Sequence, residues 1–73
     1  MDIHRYIEQK KLPPGHKFAV RANDLEMDPV SFDALVRGWL EDGRGDGFTV
    51  GMPHHESSTG RRLYDLVWLT LDK

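Results

Sequence analysis

The stretch from Asp28 to Gly43 constrains this chain most. Asp28 is placed to cap a helix, Pro29 takes its first position, and Gly43 stops it. Between them Phe32, Leu35, Val36, Trp39 and Leu40 recur at i, i+3, i+4, i+7 and i+8, while Asp33, Arg37 and Glu41 line the opposite side. Such a stripe reads as core, to be covered by another layer of the same domain. With 73 residues in all, a single domain over 1–73 is what the length allows. Cysteine is absent, which removes disulfides and thiolate metal sites as reinforcement. Apolar residues make up 38% and charged residues 30%, a globular rather than a disordered balance.

The flanking segments supply the other elements. Asp2 is an N-cap for a helix over about 3–11, with Ile3, Tyr6 and Ile7 on one side and Lys10 and Lys11 at the end where the helix dipole favours cations. Pro13 and Pro14 end it, and Pro14-Gly15 is a turn. From His16 to Ala22 the chain alternates, with Phe18, Val20 and Ala22 on one face and Lys17, Ala19 and Arg21 on the other, the pattern of a half-buried strand. A short helical turn fits Asn23–Met27. Beyond the Gly43–Gly47 turn, Phe48–Met52 reads as a strand, Pro53–Gly60 as a polar loop, and Arg61–Leu71 as a strand returning antiparallel. The expected fold is α+β: two main helices packed on a three-stranded antiparallel sheet, in the order α-β-(α)-α-β-β. No internal repeat, low-complexity segment or linker interrupts it.

From Phe18 onward this order resembles a winged helix-turn-helix domain. Phe18-Ala19-Val20-Arg21-Ala22-Asn23-Asp24-Leu25 resembles the first strand running into the first helix of the motif. Residues 3–11 then correspond to the leading helix, Pro29–Asp42 to the recognition helix, and Pro53–Gly60 to the tip of the wing between its strands. The chain departs from the family between the first strand and Pro29, where little room remains for a second helix. The resemblance implies DNA binding, with Pro29–Asp42 in the major groove.

Charge layout bears on that implication. Residues 1–22 carry five basic and two acidic side chains, residues 23–47 two basic and seven acidic, and residues 48–73 three of each: +3, −5 and 0 within a net charge of −2. A helix entered through Asp28, Ser31 and Asp33 and left through Glu41 and Asp42 repels phosphate, and Arg37 alone does not reverse that. DNA binding would fall instead to Lys10, Lys11, Lys17, Arg21, Arg61 and Arg62. The acidic middle segment suits a basic surface.

The last strand points toward protein. Leu63, Asp65, Val67, Leu69 and Leu71 alternate with Tyr64, Leu66, Trp68 and Thr70, so both faces are largely apolar where a small sheet ordinarily keeps one polar. Either the first helix covers the second face, or Tyr64, Leu66 and Trp68 are anchors for a protein partner or a homodimer. In that arrangement Asp28, Asp33, Glu41 and Asp42 form a complementary acidic rim.

No catalytic constellation accompanies these features. His54 and His55 are neighbours on an extended segment and point to opposite faces, so with Glu56 they do not make a metal site. Ser57, Ser58 and Thr59 lack a base, an orienting acid and an oxyanion hole. Arg44-Gly45-Asp46 is turn chemistry, and the surrounding glycines do not lead from a strand into a helix as a phosphate loop would. No apolar run reaches the roughly 18 residues of a membrane helix, and Met1-Asp2-Ile3-His4 does not open a signal peptide. The expectation is a small non-enzymatic binding or regulatory module in the cytoplasm, without metal, cofactor or small-molecule substrate. It would dock on a protein as an accessory to a larger machine, of the kind phages encode. The alternative is a DNA-binding transcriptional regulator.

Overall fold

In the computed structural model, which describes residues 1–56 and 63–73, the Asp28–Gly43 signal becomes the longest helix. The element order is α1 (Ile3–Lys10), β1 (Lys17–Arg21), a 3-10 turn (Ala22–Leu25), α2 (Pro29–Asp42), β2 (Arg44–Gly45), β3 (Phe48–Glu56) and β4 (Leu63–Leu71). Both helices are capped as their sequences direct. Asp2 accepts the Arg5 backbone N–H at 2.9 Å, and Asp28 accepts that of Ser31 at 3.0 Å. Gly43, with φ +74°, closes α2 by donating its N–H to the Trp39 carbonyl. Lys11 closes α1 in the same left-handed region. No described helix is long and apolar enough to cross a membrane.

The sheet is antiparallel in the order β1-β4-β3-β2, four strands where the sequence suggested three. The additional strand is brief. Asp46-Gly47, a dipeptide favoured in two-residue hairpins, folds Arg44 and Gly45 back onto Thr49 and Phe48. Gly45 is required there, because a Cβ at this position would run into the Phe48 ring. Between β1 and α2, the short segment holds one 3-10 turn and no second α-helix.

A second difference lies in β3. It continues through Pro53, His54 and His55 to Glu56, where the sequence suggested a loop beginning at Pro53. Two compensating bulges make this possible. Between the pairs Gly51–Trp68 and His54–Leu66 the surplus residue is on β3; between His54–Leu66 and His55–Tyr64 it is on β4, and Glu56 meets Leu63 in the original register. Met52 takes up the first bulge at φ +46°, and Pro53 sits where the ladder is already interrupted, so its missing N–H is tolerated. The rest of the expected loop, together with Arg61 and Arg62, lies outside the described residues.

The core occupies one side of the sheet. Val20 of β1, Phe48 of β3 and Val67, Leu69 and Leu71 of β4 pack against Ile3, Leu25, Phe32 and Val36. Phe32 and Val36 are fully buried, each contributing about 1.5–3 kcal/mol of transfer free energy. Phe18 and Val50 flank this core, and Tyr6 of α1 stacks on Phe18 at 6.1 Å between ring centroids. Both helices therefore lie on the same layer.

Candidate functional site

Side chains paired across antiparallel strands share a face, so the register assigns the residues opposite the helices. Three rows run across β1, β4 and β3: Lys17–Thr70–Thr49, Ala19–Trp68–Gly51 and Arg21–Leu66–His54. Leu66 and Trp68 are partly exposed and are absent from the core cluster that α1 and α2 cover. Trp68 lies between the two smallest residues of the face, Ala19 and Gly51, and a Cβ on Gly51 would meet nothing within 4 Å. Its indole is therefore partly exposed between them. The Lys17 ammonium sits 5.6 Å from the ring centroid, within cation–π range. Beside Trp68 and Leu66 a shallow hollow of about 400 Å3 is completed by Arg21, Met52, Pro53, His54 and Asp65. Met52 is 57% exposed at its rim.

The second bulge shapes this margin. Asp65 is the surplus residue of β4, and its Oδ1 accepts from His54 Nδ1 at 2.9 Å on the open side. Inserting one residue also reverses the facing of what precedes it, so Tyr64 crosses to the helical side. There its backbone N–H donates to Asp33 Oδ1 at 2.9 Å, its ring stacks on His55 with centroids 4.2 Å apart, and the Arg37 guanidinium lies 4.9 Å from its centroid. The three expected anchors are thus separated: Leu66 and Trp68 share the open face, and Tyr64 does not.

The acidic set is distributed differently from a rim around Trp68. Asp33 is 8% exposed and bonded to both Tyr64 and Arg37, whose Nε donates to Oδ2 at 2.8 Å. Burial opposes its ionisation, but the Tyr64 N–H and the Arg37 guanidinium outweigh that and hold its carboxyl below the usual aspartate range. Asp28 is committed to the cap, where the Ser31 hydroxyl and N–H lower its pKa. Glu41 and Asp42 are exposed in the last turn of α2, on the helical layer.

The basic set divides as well. Lys17 and Arg21 border the Trp68 face. Lys10 and Lys11 lie at the end of α1 on the other layer, with the Lys10 Nζ 5.7 Å from the Tyr6 ring. Arg61 and Arg62 are not among the described residues. His54 and His55 do point to opposite faces, and among the described residues no three His, Asp or Glu side chains converge on a metal-sized site. The sequence pattern contained Lys17, Ala19 and Arg21 on one face of β1 and Leu66 and Trp68 on one face of β4. What it did not contain was that β1 pairs with β4 and brings these two faces together.

Fold and surface define a small α+β domain whose helices cover one side of a four-stranded antiparallel sheet and leave an aromatic, basic-edged face on the other. Comparison with protein-family models, with curated proteins and with solved structures finds no match to this chain.

Proposed function

We propose that this chain is a small non-enzymatic binding module that docks a protein partner on the open face of its sheet. The observation that carries this reading is Trp68, set between Ala19 and Gly51 with Leu66 alongside and neither α1 nor α2 over it. A broad aromatic surface beside a second apolar anchor is what binding hot spots are made of. Lys17 and Arg21 border it, so the complementary surface is one with an apolar projection and acidic side chains around it. The acidic residues Asp28, Glu41 and Asp42 then act at a distance from this contact, on the opposite layer. Replacing Trp68 with serine tests the reading: the fold should survive and partner binding should be lost. Sedimentation of the purified protein distinguishes a second copy of the chain from a different partner.

The second reading is DNA binding within a winged-helix-like arrangement. The order of helix, strand, short turn, helix and hairpin favours it, as does the convergence of Lys17 and Arg21 on one face. Against it stand the acidic ends of α2 and the separation of Lys10 and Lys11 from the open face. A mobility-shift titration decides the matter: absence of binding at about 50 mM salt, where phosphate contacts are strongest, removes this reading.

A further inference from the structure

The helical layer carries a cleft of its own, between the start of α1, the side of α2 and the β2–β3 turn. Its floor is Ile3 and Phe48, both buried, and its walls are the half-buried Met27, Leu35 and Trp39. Trp39 stands edge-on to Phe48, with ring centroids 5.1 Å apart and planes at 85°, so the indole is fixed in place as a wall. The space is about 530 Å3, within the range of built binding clefts.

We propose that this cleft is a second docking site, and that its occupant is a basic amphipathic helix supplied by another protein. Leu35 and Trp39 are four residues apart on α2, and they form a partly uncovered ridge of the kind that a second helix packs against. Met27 adds an unbranched, adaptable thioether at the edge. Charge selects the sign of the partner. The lining residues carry two carboxylates, Asp2 and Asp46, against the Met1 ammonium, a net −1, and include no lysine or arginine. The Asp46 side chain is 96% exposed, and the Met1 ammonium is held by the Leu25 carbonyl at 2.8 Å. His4 at the mouth bonds the Asp46 carbonyl at 3.0 Å. The wider 23–47 segment carries −5 and outweighs Arg5, Lys10 and the cap Lys11 of α1 on the same layer, so a cationic helix is drawn to it. The Trp68 face, with Lys17 and Arg21 against Asp65, the carboxylate lining its hollow, draws an acidic one. Two docking surfaces of opposite preference on opposite layers make the module an adaptor between two partners.

The test uses the full chain and a matched pair of synthetic peptides of about 14 residues, long enough for a helix to be marginally stable. Both carry leucine at i, i+3, i+4 and i+7; one has lysine at the remaining positions and the other glutamate. The lysine peptide is expected to bind saturably and to shift the amide resonances of Met27, Leu35, Trp39 and Phe48. Its affinity should fall by up to about fivefold in Asp46→Asn, which keeps the turn and removes one exposed charge contact, and should be unchanged in Trp68→Ser. Equal binding of the glutamate peptide, shifts confined to other surfaces, or no saturable binding would each overturn the proposal. Because Trp68→Ser leaves this cleft intact, failure here and failure of the open-face reading are separate results.

Discussion

The Asp33 carboxylate of α2 accepts the backbone N–H of Tyr64 in β4 at 2.9 Å, tying the central helix to the bulged end of the central strand. Its second oxygen takes the Arg37 guanidinium, so both carboxylate oxygens are engaged. Tyr64 stands next to the surplus residue Asp65, where the ladder to β3 is irregular, and a side chain from the helix satisfies the donor there.

Asp33→Ala leaves the Tyr64 N–H without its acceptor and should cost about 1–3 kcal/mol, read as a lower urea midpoint. Asp33→Asn retains a carbonyl oxygen for Tyr64 and should cost less. Arg37→Ala should also destabilise, since the guanidinium is half exposed but the Asp33 carboxylate it pairs with is 11% exposed and would keep only the Tyr64 N–H.

The same group gives a pH dependence of fixed sign. The Asp33 carboxyl lies below its usual range in the folded protein, because the Tyr64 and Arg37 contacts outweigh the cost of burial. Its contribution is therefore complete above the ordinary aspartate range and is lost as pH falls through the lower folded value. Chemical denaturation at a series of pH values should show the advantage of the native protein over Asp33→Asn shrinking on acidification, with no change near neutrality. A gap that widened in acid would contradict this linkage.

The two faces of β4 should respond unequally to truncation. Leu69→Ala removes a fully buried side chain and should cost about 2–5 kcal/mol. Trp68→Ser, on the open face and partly buried, should cost less than Leu69→Ala, because part of the indole is already in solvent. Comparable losses at both positions would mean that Trp68 is part of the core.

Two glycines make a matched test of the hairpin and the open face. Gly45→Ala presses a Cβ into the Phe48 ring and should destabilise by about 1–3 kcal/mol. Gly51→Ala meets open space, so its thermal midpoint should stay at or above that of the native chain.

Much of this arrangement was legible in the residues. Asp28, Pro29 and Gly43 bounded α2, Asp2 opened α1, and alternation placed Lys17, Ala19 and Arg21 on one side of β1. The differences trace to two physical causes. Pro53 suggested a loop because proline interrupts a regular ladder, but here the ladder is already broken by the first bulge, and the strand runs on to Glu56. Strict alternation likewise put Tyr64 with Leu66 and Trp68, and the second bulge, at Asp65, moved it to the helical side. Asp33 looked like one more solvated charge on α2. Its partner Tyr64 lies 31 residues away, and local spacing carries no record of a contact that distant.

The claim that the uncovered sheet face is the docking surface is tested most directly by site-specific photo-crosslinking in the cells that produce the protein. A photoreactive phenylalanine at Thr49, exposed on the open face, would be compared with one at Ala34, exposed on α2. The account predicts a discrete crosslinked protein from position 49, weaker or absent from position 34, and abolished by Trp68→Ser or Gly51→Glu. A product formed from position 34 alone, one that survives Trp68→Ser, or none from position 49 would contradict it.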